Sequence, residues 1–137
     1  MIDLTAEVTI KIPFQDVDIM GVVWHGNYLR YFEEARAALL DKIDYGYFKM
    51  RESGYAWPIV DARVKYIKPL TLHQVVHVKA RLVEYECGIK IDYEVYDSET
   101  GERATKGKTT QVAVDMRNHE MCLASPRVFL EKLGAAI

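Results

Sequence analysis

Two acids, one imidazole and the start of a helix fall within a single short stretch of this chain. Asp16 and Asp18 flank Val17 in a turn, Gly21 and Val22-Val23 follow, and Trp24-His25-Gly26-Asn27 then leads into a long helical pattern. A carboxylate can take a proton from water or attack an electrophilic carbon itself. An imidazole can orient a reacting group or stabilise developing charge. The first turn of a helix offers unpaired N–H groups and a partial positive charge. If the helix opens near Asn27, the amides around His25 and Gly26 could hold a carbonyl oxygen as it becomes an oxyanion. Each residue also has a plainer reading. Asp18 could cap its own turn, as aspartate commonly does. Asp16 reads as structural, hydrogen-bonding the loop. His25 could be a surface residue, Asn27 a helix cap first and a site residue second, and Gly26 a glycine needed only by the turn.

The elements that must position this stretch can be read from periodicity. Residues 4–12 alternate, with Leu4, Ala6, Val8, Ile10 and Ile12 on one face, which predicts a half-buried strand ended by Pro13. From Asn27 to Ile43 the period becomes helical, and Tyr28, Tyr31, Phe32, Ala35, Ala38, Leu39 and Ile43 share a stripe. Leu29, Ala37 and Leu40 widen it, so the helix is expected to be covered on more than one side. Residues 44–58 are punctuated by Gly46, Gly54 and Pro58 and are rich in aromatics; a short second helix or an irregular segment is expected there, lining a pocket or closing the core. Four strands follow, over 59–68, 72–84, 89–97 and 102–115, with a hairpin loop at 97–101 and a bulge expected near Gly107. A short helix closes the chain over 126–133. Strand, long helix and four antiparallel strands make an α+β fold, a five-stranded antiparallel sheet wrapped around one central helix. Its open edges call for cover, which a second copy could give.

Size and composition narrow the function. The 137 residues fit one domain, 1–137, and half are hydrophobic. A net charge of −2 gives no electrostatic case for nucleic acid. Cys87 and Cys122 are too isolated for a disulfide framework or a CxxC metal site, which favours a reducing, cytoplasmic setting. The alternating start MIDLTAEVTIKIP does not resemble a signal peptide, and no run approaches the ~18 apolar residues of a membrane span. His73 and His77 lie four apart, but on a strand that places them ~13 Å apart, so no metal site is expected.

The stretch 16–28, Asp-Val-Asp-Ile-Met-Gly-Val-Val-Trp-His-Gly-Asn-Tyr, resembles the pattern D-x-D-x-x-G-[VI]-V-x-[HF]-x-x-Y of the hotdog-fold acyl-CoA thioesterases, in the 4-hydroxybenzoyl-CoA thioesterase and YbgC-like branch. Every fixed position is filled, and the long helix and later strands extend the resemblance over nearly the whole chain. The resemblance implies Asp18 as the catalytic carboxylate, acting as general base or as nucleophile through an anhydride. It places His25 at a catalytic position and Gly26, Asn27 and Tyr28 at the substrate-binding start of the central helix. It implies no metal, no cofactor and no serine nucleophile. The implied partners are a small-molecule acyl-CoA, or an acyl group on acyl carrier protein, and a second copy of the chain in a homodimer that pairs into a dimer of dimers. A non-catalytic acyl-CoA binding module is the alternative from another class. The phosphates of coenzyme A call for cations near the pocket; Arg63, Lys65, Lys68, Lys79, Arg81, Lys90, Lys106 and Lys108 are candidates, most of them expected to be ordinary solvated faces. Aryl and fatty acyl substrates both stay open.

Overall fold

The computed structural model describes residues 3–136. Strand β1 (Thr5–Lys11) leads through a loop into helix α1 (Tyr28–Asp41). A short helix α2 (Tyr47–Glu52) and a two-residue strand β2 (Tyr55–Ala56) follow. Four longer strands come next: β3 (Ile59–Tyr66), β4 (Val75–Glu84), β5 (Ile89–Asp97) and β6 (Arg103–Gln111). The chain ends in β7 (Val114–Asp115), β8 (Glu120–Met121) and α3 (Arg127–Ala136). The large sheet is antiparallel throughout, in the order β1-β4-β5-β6-β3, and α1 lies on its inner face, as the periodicities predict. A hotdog architecture results: one apolar helix held by a five-stranded sheet.

The stripe on α1 is the centre of the core. Tyr28, Tyr31, Phe32, Ala35, Leu39, Leu40 and Ile43 are buried against Val76, Val78, Ala80, Ile91, Tyr93 and Val95 of the central strands. The Phe32 ring stacks on Tyr93 at a centroid distance of 4.5 Å and nearly parallel, 8° apart. The Tyr93 hydroxyl is in turn satisfied by Thr109 Oγ1 at 2.7 Å. In the segment expected to line a pocket or close the core, Tyr45 and Trp57 close it, together with Phe129 of α3. The Trp57 indole donates to the Tyr45 hydroxyl at 3.1 Å. Tyr47 and Phe48 point to solvent instead. The wider apolar surface of α1 is covered only in part, since Leu40 is buried while Leu29 and Ala37 are exposed.

Several sequence expectations need correction. The strand expected over 72–84 begins only at Val75, because His73 adopts a left-handed conformation (φ 67°) in the preceding turn. His73 and His77 therefore do not share a strand, and His77 Nδ1 pairs with Thr9 Oγ1 across β1 and β4 at 3.0 Å. The strand expected over 102–115 breaks after Gln111, and its tail forms a small separate sheet in the order β2-β7-β8. The bulge sits at Ala104, not near Gly107: Val95 pairs with Thr105 and Tyr96 with Arg103. The extra Ala104 turns its carbonyl to accept from both Ile67 N–H (3.0 Å) and Lys68 N–H (2.9 Å). Strand β3 alternates as expected, yet nearly all of it is exposed, because it is an edge strand.

Gly107 has a packing reason instead. A Cβ there would lie 2.4 Å from Phe32 Cε2 and 2.6 Å from the Arg63 carbonyl oxygen. The missing side chain is what lets the helix press its largest ring onto the sheet. Gly107→Ala should therefore destabilise by ~1–3 kcal/mol through overpacking, read as a lower urea midpoint at unchanged slope.

Candidate active site

The loop between β1 and α1 is built from two short 3-10 turns and a tight hairpin. Phe14–Asp16 forms the first turn. Val17 then bridges Val23, with Asp18 N–H donating to the Val22 carbonyl (2.8 Å) and Gly21 N–H to the Asp18 carbonyl (3.0 Å). Gly21 at φ 78° supplies the left-handed residue that this hairpin needs. The second turn, His25–Asn27, runs straight into α1. The outer flank of the hairpin is fixed to the strand connection through Val23 N–H to the Leu70 carbonyl, 2.8 Å.

The two acids have different environments. Asp16 is buried, with 3% of its surface exposed. One carboxylate oxygen pairs with the Arg30 guanidinium, and the other accepts the Tyr31 hydroxyl at 2.6 Å. Its backbone carbonyl accepts Trp24 N–H (3.0 Å) and the Asn27 side-chain amide (2.9 Å). Burial pushes this carboxyl up, but the hydrogen bonds from Arg30 and Tyr31 and the charge of Arg30 outweigh it and hold it below its ordinary range. Burial and the Asp16 charge push the Tyr31 phenol well above its ordinary value, so it stays a donor. Asp18 is exposed at the end of the hairpin. Its Oδ1 accepts Met20 N–H at 2.8 Å, the turn cap foreseen as its plainer reading. Its Oδ2 has no hydrogen-bond or ion-pair partner among the described residues. One oxygen holds the turn and the other is free.

The helix expected from Asn27 opens at Tyr28, and His25, Gly26 and Asn27 lead into it as a 3-10 turn. Its first bond runs from Asn27 N–H to the Trp24 carbonyl at 2.9 Å. The amides of His25 and Gly26 lie ahead of that bond and have no intrahelical acceptor. Asn27 is therefore not the cap: it has helical dihedrals and no side-chain cap bond, and its amide anchors the loop through Asp16 instead. The Trp24 indole lies directly on Gly26, where a Cβ would come within 2.2 Å of the ring, and its centroid is 4.9 Å from the His25 ring. Trp24 is nonetheless 53% exposed. The Tyr66 hydroxyl donates to the His25 carbonyl at 2.8 Å, which leaves the His25 imidazole unconstrained by that contact. Tyr28 is buried, packs edge-on against Tyr66 at 4.8 Å and accepts Leu70 N–H through its hydroxyl (3.2 Å). In this protomer its work is structural.

Arg30, Tyr31, Trp24 and Tyr66 were not singled out from the sequence. A usable signal existed for Tyr31: a tyrosine on a buried helical stripe needs a partner for its hydroxyl, and Asp16 was an unassigned acid. Among the described residues, no group of three or more His, Cys, Asp or Glu side chains is placed to hold a metal ion, and no helix is long and apolar enough to cross a membrane.

With this geometry in hand, comparison with known proteins is decisive. The model of the thioesterase-like superfamily matches residues 12–133. The chain belongs to that superfamily. It is accordingly an enzyme of the thioester-hydrolase class. A candidate acyl-CoA thioesterase of Bacillus subtilis, YneP, is 32% identical over 108 residues, covering 77% of each chain. A candidate esterase of Synechocystis is 29% identical over 129 residues, covering 93% of this chain and 77% of that one. Among solved structures, the DHNA-CoA thioesterase of Staphylococcus aureus superposes with a TM-score of 0.79 at 29% identity, covering 87% of this chain and 80% of that one.

The buried acid gives a prediction with a definite sign. Because folding lowers the Asp16 carboxyl below its ordinary value near 3.9, its stabilisation is present above that value and is lost as pH falls through the lowered one. Asp16→Asn should cost ~1–3 kcal/mol at pH 7 by breaking charge-assisted bonds to Arg30 and Tyr31. It should also flatten the fall in melting temperature below about pH 4, checked by thermal melts across pH 2–7.

Proposed function

We propose that this enzyme hydrolyses acyl-CoA thioesters to a carboxylic acid and free coenzyme A, in the manner of the 4-hydroxybenzoyl-CoA thioesterase and YbgC-like branch. The observation that carries the reading is that one loop-to-helix unit holds both Asp18 Oδ2 and two amides, those of His25 and Gly26, that have no hydrogen-bond partner among the described residues. The thioester oxygen would sit on those amides, where charge develops in the transition state. Asp18 Oδ2 then has two routes. As general base it takes a proton from water, the oxygen of which adds to the carbonyl carbon; the C–S bond breaks and the thiolate leaves. As nucleophile it adds to that carbon itself, expels the thiolate and leaves an anhydride that water opens. A thiolate leaves readily, so neither route needs a strong general acid. The His25 ring is available to orient water or the thioester. Gly26 makes room for the Trp24 indole against the helix start, Asn27 keeps the loop in place, and Tyr28 supports the floor of the site. The kinship to YneP and to the Staphylococcus aureus enzyme supports a coenzyme A thioester over one on acyl carrier protein.

Asp18→Asn tests the assignment. The variant should stay folded by circular dichroism and keep its melting temperature within about 1 kcal/mol of stability, since the amide oxygen can still accept Met20 N–H. Thiol release from acyl-CoA should drop by ~10²–10⁴-fold. A folded variant with undiminished turnover would remove Asp18 from the mechanism. Tight acyl-CoA binding without turnover by the unmodified protein would favour the binding-module alternative.

The same reading includes a homodimer, paired further into a dimer of dimers, in the cytoplasm. Strand β3 supports the dimer: it is a free edge of the large sheet, and Val60 (57% exposed) and Tyr66 (48% exposed) lie on the face that packs inward elsewhere. The isolated, unpaired Cys87 and Cys122 support a reducing compartment. Light scattering at micromolar concentration should give at least twice the mass of the 15.8 kDa chain. A Val60→Pro substitution, which breaks pairing along that edge, should shift the mass towards the monomer.

A further inference from the structure

The outer face of the large sheet carries a charge arrangement that its fold does not require. We propose that the groove on this face is a binding site for a small, multiply phosphorylated ligand. Its volume is about 790 Å³, within the usual range for a small-molecule site, and seven basic side chains line it against two acids. The chain as a whole is slightly acidic, at −2, so the concentration of positive charge is local.

Strand register shows how that charge is built. Across β3 and β6, Arg63 lies opposite Lys108 and Lys65 opposite Lys106. Alternate residues of a strand share a face, so these two pairs stand on neighbouring rungs, ~5 Å apart across the strands and ~7 Å along them. Like charges directly opposite on paired strands destabilise a sheet, and here two such pairs are adjacent. Two acids on β5 stand beside these rungs, Asp92 opposite Arg81 and Lys108 and Glu94 opposite Lys79 and Lys106, and against seven cations they leave a net positive face. Glu94 is engaged by Arg103 at 3.0 Å, and Asp92 lies 3.8 Å from Arg81. Arg63 reaches only Asp61, at 3.7 Å. Lys65, Lys79, Lys106 and Lys108 have no ion-pair partner among the described residues. Ammonium groups on neighbouring rungs can bridge the oxygens of one phosphate or of a diphosphate.

Two sources share this chemistry. Coenzyme A carries a 3′-phosphate and a 5′-diphosphate, and the groove and the candidate site border opposite faces of the same edge strand β3, Lys65 on the outer face and Tyr66, whose hydroxyl holds the His25 carbonyl, on the inner one. That source rests on the function proposed above. A free nucleotide acting on the enzyme is the other, and the phosphate site itself stands without either.

Adenosine 3′,5′-bisphosphate titrated calorimetrically into the purified protein is the probe. Saturable binding is expected, weakened about tenfold or more in a Lys106→Ala/Lys108→Ala variant and unchanged in Lys11→Ala, at the end of β1 on the opposite edge of the sheet. Without ligand, the double variant should melt close to the unmodified protein, because it relieves repulsion from Arg63 and Lys65 on β3 while giving up attraction to Asp92 and Glu94 on β5. KM is then compared for one acyl group on coenzyme A and on N-acetylcysteamine, which lacks the nucleotide. A rise confined to the coenzyme A substrate identifies the carrier's phosphates as the occupant. An unchanged KM with weakened bisphosphate binding identifies a free nucleotide. No binding at millimolar bisphosphate, or equal binding by the double variant, overturns the site. Failure to hydrolyse any thioester would sink the proposed function while leaving the titration to decide the groove.

Discussion

The buried Asp16 carboxylate ties the loop before α1 to the helix that follows it. A charge in that position is costly unless its hydrogen-bonding capacity is met, and here Arg30 and Tyr31 meet it on the side chain, while Trp24 N–H and the Asn27 amide hold the backbone carbonyl of the same residue. All four belong to the second 3-10 turn, its flank or the first turn of α1. The bond set therefore fixes where the helix begins, which amides are left without acceptors, and where the Asp18 hairpin departs. The acid that is closed off organises the site so that the one two residues later can remain open.

That clamp works only because α1 is itself immobile. The helix is seated by apolar burial over its whole inner stripe and by the Phe32–Tyr93 stack, and the close approach depends on an absent side chain at residue 107. Position 107 thus acts on the site at one remove. A helix lifted from the sheet by a methyl group would carry Arg30 and Tyr31 with it and loosen their hold on Asp16. Packing in the core and hydrogen bonding in the loop are parts of one constraint on the helix start.

Much of this was legible in the residues. The change from period 2 to period 3.6 and back located β1, α1, β4 and β5, because each buries one face and exposes the other. The stretch 16–28 pointed to the candidate site and to the thioesterase-like superfamily. What escaped detection had physical causes. Asn27 has the residue type of a cap, but it closes a 3-10 turn that leads into the helix, and its side chain is taken by the tertiary bond to Asp16. Gly107 looked like a bulge because glycine in a strand has two common explanations, close approach and irregular register, which a single sequence does not separate. Strands β2, β7 and β8 are two residues each, too short for any periodicity. The exposure of β3 follows from its place at the sheet edge, a property of strand order and not of its alternating composition.

The exposed state of Asp18 has a consequence for the chemistry. A carboxylate in full contact with water is stabilised by hydration, which opposes its attack on a carbonyl and its uptake of a proton in the transition state. In the protomer the surface around the hairpin is apolar yet open: Ile19, Met20, Trp24 and Leu29 are all exposed. Such a grouping is unusual on a finished surface, and Ile19 and Met20 directly follow Asp18 in the hairpin. The proposed dimer and a bound acyl chain would both cover it, and either would dry Asp18 Oδ2 while leaving Oδ1 on Met20 N–H. The apolar rim thus favours a site that becomes reactive on being covered. The two acids are thus placed for different tasks: the buried carboxylate of Asp16 is already committed to Arg30 and Tyr31, and under the proposed function the exposed one of Asp18 stands where burial would arrive with the substrate.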